Sequence, residues 1–379
     1  MARIMGVISI LVGILICMSI HLDVVVVHAM RTPASIFWDQ MLPFVQAIPA
    51  TLKVSVSPVE GTATADQFAT AVTGAMSFPA LSAKFCVAAG LVCDEDIEIH
   101  SYTTKKNSSS TPEVPIMGRH NMMTHASAAS RTMGITTIND FQLDFFLEEN
   151  LVEGAYMHLA DNLFDLIPLR AFLPSTVAKV LPALTTANLP KLLAAFTIDK
   201  NSRMAAMMAT ATYLCESPAL PGEQRACPTS VEEMAVFVAS EVGEQLEVLS
   251  TRGAPTSAPA TTTTTTEEKK LPPVKVLSYT KRSLGEGKNI VVCHNLMFPS
   301  QLYYCHHVTG TKVVQASLGS SDGSIIHGVA ICHMDTTLWA SEHPAFAALN
   351  IPRGAEACHW NTQNDLIWIP TTSSTTSYD

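Results

Sequence analysis

Seven short runs rich in Val, Ile, Leu and aromatic residues crowd the last third of the chain. They are 274–279, 289–295, 302–309, 312–318, 325–333, 355–360 and 366–369. Runs of that length predict β-strands, and Gly310, Gly319, Gly323 and Gly354 punctuate them. From 171 to 250 the period is helical instead. Met204, Met207, Met208, Ala211 and Cys215 form one stripe, and Val231, Met234, Ala235, Val238 and Val242 another. Methionines at that spacing read as core packing rather than as a cofactor pocket. Pro228-Thr229-Ser230 followed by Glu232 and Glu233 predicts a capping box at the start of the second helix. Gln142 to Leu147 reads as a strand, and Phe37 to Pro43 as a short apolar element stopped by proline. The expected fold is α+β: a helical segment over about 171–250, then a mainly antiparallel β region over about 274–370 stapled by disulfides.

Two polar stretches break this pattern. Residues 103–115 form a polar loop that contains the sequon Asn107-Ser108-Ser109, a candidate glycan site. Residues 251–273 are a Thr/Pro-rich insertion with six consecutive threonines, Thr261 to Thr266. That run has no apolar face to bury and predicts a solvated linker. At the start of the chain, Arg3 precedes the apolar run Ile4 to Ile20, and Val27-His28-Ala29 suits a signal peptidase. The expected organisation is a signal peptide at 1–29, a variable region at 30–142, one domain at 143–370 and a tail at 371–379.

Composition sharpens the picture. Only 15% of residues are charged and the net charge is −10, with no long Lys/Arg block, which argues against nucleic-acid binding. No run of about 20 apolar residues follows residue 30, which argues against a membrane partner after signal cleavage. Removing the signal discards Cys17 and leaves Cys86, Cys93, Cys215, Cys227, Cys293, Cys305, Cys332 and Cys358. An even number in a secreted chain points to disulfides. A Cys215–Cys227 bridge would tie the end of one helix to the start of the next. Cys86 and Cys93 are spaced for a local bridge.

The most specific signal is a repeated dipeptide. Cys293-His294, Cys305-His306, Cys332-His333 and Cys358-His359 fall within 67 residues, separated by 10, 25 and 24 residues. Successive side chains in a strand point to opposite faces. If the four strands share a sheet and register, the cysteines face one layer and the histidines the other. The four histidines are then candidate ligands of one imidazole metal site, and the oxidising compartment favours copper. The competing reading is four staple cysteines followed by histidines that merely cap strands. The four cysteines allow three pairings. Asp335 is a candidate carboxylate to orient a ligand imidazole, or a turn residue. His307, His327 and His343 read singly as surface or turn residues.

The Cys-His repeat resembles the signature of the plant BURP-domain family. Phe145-Phe146-Leu147-Glu148 with Leu151 and Gly154 is similar to that family's opening element. Cys215-Glu216, Gly222-Glu223 and Cys227 through Met234 are similar to its central helices. Tyr303-Tyr304-Cys305-His306-His307 and Trp368-Ile369-Pro370 extend the likeness, which covers about 143–370. Phe37-Trp38 through Pro43 resembles a segment many members carry after the signal. The last gap, 24, is one shorter than the family pattern, and the 255–272 insertion is longer than usual. The resemblance implies a secreted, wall-associated plant protein active in development or stress, or as a non-catalytic subunit of pectin-degrading enzymes. Partners would be a wall polysaccharide or wall protein. A subset of the family implies a different role, copper-dependent cyclases that crosslink Tyr or Trp side chains of a peptide. The N-terminal region has no internal repeat, and its aromatic candidates are Trp38 and Tyr102. A self-processing precursor is therefore not supported, while action on a separate peptide stays open.

Overall fold

A computed structural model describes residues 36, 38–40, 42–43, 45, 49–74, 83–92, 145–159, 161–164, 167–253, 272–283, 289–307 and 309–371. The expected signal peptide, Asn107, Tyr102, Cys93, residues 254–271 of the Thr/Pro insertion and all but the first residue of the tail lie outside these residues.

Among the described residues, eleven strands build two antiparallel sheets. The strands are β1 (Phe145–Phe146), β2 (Tyr156–Met157), β3 (Gln224–Ala226), β4 (Leu246–Leu249), β5 (Val274–Ser283), β6 (Val291–Leu296), β7 (Leu302–His307), β8 (Thr311–Gly319), β9 (Ile325–His333), β10 (Ala357–Trp360) and β11 (Leu366–Pro370). Sheet A has the order β1-β10-β9-β8-β5-β2, and sheet B the order β3-β7-β6-β11-β4. Leu249, Ile290, Val292, Val313, Val329, Ile331, Ile367 and Ile369 come from both sheets and form one aliphatic layer. The sheets therefore stack face to face, as a sandwich in which alternate residues of each strand point inward.

Among the described residues, helices pack on the outer face of sheet B, except the last, which packs beside β1 and β10 of sheet A. They are α1 (Ala50–Lys53), α2 (Ala63–Gly74), α3 (Ala83–Ala88), α4 (Ser175–Ala178), α5 (Leu189–Phe196), α6 (Arg203–Glu216), α7 (Val231–Val242) and α8 (Pro344–Leu349). Both helical stripes form as expected, as α6 and α7. Ser230 is the N-cap of α7: its Oγ accepts from Glu233 N at 3.2 Å, while Glu233 Oε2 accepts from Thr229 N at 2.7 Å. Val231, Met234, Ala235 and Val238 of α7 pack on Val291, Cys293 and Cys305, on the outer face of sheet B.

The class is α+β, but the order of elements differs from a helical block followed by strands. β1 and β2 precede α4 to α7, β3 lies between α6 and α7, β4 follows α7, and α8 sits inside the β region. β3 is three residues long and gains its strand geometry from pairing with β7 across a distance in sequence, which no local period records.

The region before residue 143 is also not a mere appendage. Trp38 is 1% exposed and shares a core with Leu42, Leu52, Phe172 and α7. The Phe172 amide donates to Ser55 O at 2.6 Å, and the Ala171 amide to Gly90 O at 2.8 Å. Glu60 accepts from the Ser175 amide at 2.9 Å and the Ser175 hydroxyl at 2.7 Å.

Candidate functional site

The four Cys-His pairs divide between the two sheets, two by two, rather than sharing one. In sheet B, Cys293 lies opposite Cys305; in sheet A, Cys332 lies opposite Cys358. Each facing couple is a disulfide with Cα atoms 3.9 Å apart. A third bridge joins Cys215 to Cys227. Cys86 is disulfide-bonded as well. The expectation of one cysteine layer is thus corrected: the two staples lie on the outer faces of different sheets, in separate cores.

This arrangement explains the dipeptide. In an antiparallel ladder with facing cysteines, the two following residues are diagonal neighbours on the opposite face, within reach of long side chains. Both pairs use the inner face of their sheet. On sheet B, His294 follows Val292 two residues on and His306 lies opposite Val292; on sheet A, His333 follows Ile331 two residues on and His359 lies opposite Ile331. All four histidines are buried, at 5% (His294), 4% (His306), 5% (His333) and 3% (His359) exposure. They occupy the sandwich interior where its aliphatic layer ends.

The sheet B pair is the tighter one. Nε2 of His294 and Nε2 of His306 are 3.2 Å apart. Behind them stand two buried carboxylates. His306 Nδ1 lies 2.9 Å from Glu223 Oε1, and His294 Nδ1 lies 3.7 Å from Asp365 Oδ2. Glu223 comes from the loop closed by Cys215–Cys227, and its Oε2 accepts from the Leu220 amide at 2.7 Å. Asp365 accepts from the Asn295 amide at 3.1 Å and the Thr362 amide at 2.9 Å. Burial raises the Asp365 carboxyl, but His294 and these two amides outweigh it and leave its pKa below the ordinary value. Arg170 braces the same hairpin, donating to Asn295 Oδ1 at 2.8 Å and to Leu296 O at 3.3 Å. Burial pulls its pKa down to about 10 and pushes the neighbouring Tyr303 phenol up to about 12.

The sheet A pair has aromatic surroundings. His333 and His359 stack with centroids 5.5 Å apart, and Trp339 meets His333 edge-on at 5.0 Å. Trp339 also packs on His343 at 4.2 Å. Burial pushes the His333 imidazole well below its ordinary pKa of 6.5. The charges that His359, His306, His343 and His294 would carry push it further. Among the described residues, no three His, Cys, Asp or Glu side chains already converge at ligand distance.

Three sequence expectations shift. Asp335 is exposed and caps its own turn, its Oδ1 accepting from the Thr337 amide at 2.8 Å, so it orients no imidazole. His343 is no surface residue: it is buried and N-caps α8, its Nδ1 accepting from the Ala345 amide at 3.2 Å. His307 is buried as well, facing Glu241 of α7 at 3.7 Å. Glu223 and Asp365 were missed because each lies far in sequence from its imidazole. The only local trace was the Cys215–Cys227 frame around Glu223.

The profile of the BURP domain family matches residues 144–370. The chain belongs to the BURP family. Its BURP domain is 34% identical over 229 residues to the polygalacturonase non-catalytic subunit AroGP3 of Solanum lycopersicum. It is 36% identical over 227 residues to polygalacturonase 1 beta-like protein 2 of Arabidopsis thaliana. It is 34% identical over 227 residues to BURP domain-containing protein 12 of Oryza sativa subsp. japonica. Each match takes in 59% of this chain and 33–34% of the relative, so the chain spans about a third of the length of these relatives. No helix among the described residues is long and apolar enough to cross a membrane.

Proposed function

We propose that this chain is a secreted plant wall protein that acts without catalysis of its own, its BURP domain docking on a pectin-degrading enzyme such as a polygalacturonase. The observation that carries this reading is the likeness of the whole BURP domain to polygalacturonase non-catalytic subunits. The burial of the four histidines supports it. Imidazoles at 3–5% exposure offer no approach to a peptide side chain. A closed histidine cluster suits a structural site better than a catalytic one, which keeps an open position.

The spacing of His294 and His306 favours a second reading, a copper-dependent peptide cyclase. Imidazole nitrogens bind a metal at about 2.0–2.1 Å, so two on one ion lie roughly 3–3.4 Å apart. The 3.2 Å between the Nε2 atoms fits that edge, and one shared proton spans it equally well. His294 and His306 would hold the ion between their Nε2 atoms. Copper there would supply Lewis-acid and one-electron chemistry.

One preparation tests both readings. The chain from residue 30 onward is purified with its disulfides intact and mixed with a polygalacturonase. Co-elution as a complex on size exclusion is expected, with enzyme turnover unaffected by His306→Ala. Independent elution at micromolar concentrations would overturn the docking reading. Incubation with Cu(II) and a Tyr- or Trp-bearing peptide is expected to leave the peptide mass unchanged. Loss of two hydrogens per peptide would replace the docking reading with the cyclase.

A further inference from the structure

We infer that Glu223 and Asp365 are positioning residues of the histidine site, each directing the Nε2 lone pair of one imidazole toward a shared cation. As far as it concerns metal, the inference rests on the reading that His294 and His306 are ligands. The argument begins with the protons. A neutral imidazole has one N–H, and whichever nitrogen carries it, the other keeps the lone pair. His306 Nδ1 lies 2.9 Å from Glu223 Oε1. An ionised carboxylate only accepts, so Nδ1 is the protonated nitrogen of His306 and Nε2 carries the lone pair. That lone pair points at His294 Nε2, 3.2 Å away.

With no cation between the rings, this contact requires His294 to donate from Nε2. The Nδ1 atom of His294 then faces Asp365 Oδ2 at 3.7 Å with no hydrogen bond, an arrangement of two acceptors. A cation on the two Nε2 atoms removes that conflict. The His294 proton moves to Nδ1, where Asp365 accepts it, and no proton need leave the site. Both carboxylates are built for this task. Glu223 is oriented by the Leu220 amide at 2.7 Å and the Tyr304 hydroxyl at 3.4 Å. Asp365 is oriented by the Asn295 and Thr362 amides. Two buried negative charges behind two neutral imidazoles also favour a divalent cation over a proton. The Cys215–Cys227 bridge closes the loop that brings Glu223 to His306, so this third disulfide belongs to the site although neither of its cysteines precedes a histidine.

The test uses the purified chain with its disulfides intact and Cu(II) as the probe. In the metal-free protein, 15N spectra of the histidine rings should show His306 protonated on Nδ1, with that signature lost in Glu223→Gln. Competition with a chelator should show Glu223→Gln and Asp365→Asn binding Cu(II) about 10- to 100-fold more weakly than wild type. Asp335→Asn should bind as wild type does. If Glu223→Gln fails to fold, Asp365→Asn and the wild-type ring spectrum carry the test. His306 found protonated on Nε2 overturns the inference without reference to any metal. Undiminished Cu(II) affinity in both variants overturns it while leaving the metal reading intact. A wild type that takes up no Cu(II) overturns the metal reading, and the ligand-positioning role with it.

Discussion

Glu148 shows how one side chain ties distant parts of sheet A together. It follows β1, and its carboxylate meets Lys312 at 2.8 Å and Lys281 at 3.1 Å, on β8 and β5. The hydrogen bond from Lys312 and the contacts with Lys281 hold its carboxyl below the ordinary 4.5, although burial works the other way. The sign follows from linkage. The unfolded chain binds the proton more readily, so the stabilisation is complete above 4.5 and is lost as pH falls through the folded value. Glu148→Gln should lower stability by about 0.5–1 kcal/mol at neutral pH. Urea titrations should show that deficit shrinking below about pH 4. A deficit that holds constant across the acid range would mean the two lysines contribute nothing to it. Gly328 is another single-residue constraint. A Cβ there would lie 2.8 Å from the Trp360 ring, next to His359, which is why this strand position has no side chain.

At the scale of elements, the two sheet disulfides do parallel jobs with different loops. Cys293–Cys305 spans 12 residues and clamps the β6–β7 hairpin, while Cys332–Cys358 spans 26 and clamps β9 to β10 across α8. In the chain-entropy account, closing these loops is worth about 3 and about 3.5 kcal/mol. Replacing both cysteines of a pair with serine should therefore cost more stability for Cys332 and Cys358 than for Cys293 and Cys305. Denaturant midpoints under non-oxidising conditions would reveal the order. The reverse order would show that local packing outweighs loop length. Because each staple sits one residue before a histidine on both strands, either double variant also loosens one imidazole pair.

The whole molecule extends beyond the family match. The profile begins at residue 144, yet Trp38, Leu42 and Leu52 fill the same core as α7, β6 and β11. Phe85, Ala89 and Leu91 do likewise against α5 and α6. Removing a buried indole of this kind typically costs about 3–5 kcal/mol. Trp38→Ala should therefore lower the urea midpoint of the entire domain in one cooperative transition. A wild-type midpoint in that variant would mean the segment packs without contributing to stability.

The sequence by itself determined the strands and helices whose side chains bury on a regular period. All seven late strands, α6, α7 and the Ser230 cap were legible because local alternation and capping chemistry are written in adjacent residues. So was the family, since a rare dipeptide repeated four times needs no geometry to be noticed. Only the tertiary structure decided how the four pairs are dealt between two sheets, and so which cysteines meet. It also decided which carboxylates stand behind the histidines. Those outcomes depend on strand partners and loop closures far apart in the chain, where side-chain period carries no information. Glu223 lies 83 residues from His306 and Asp365 lies 71 from His294, and folding alone brings each to its imidazole.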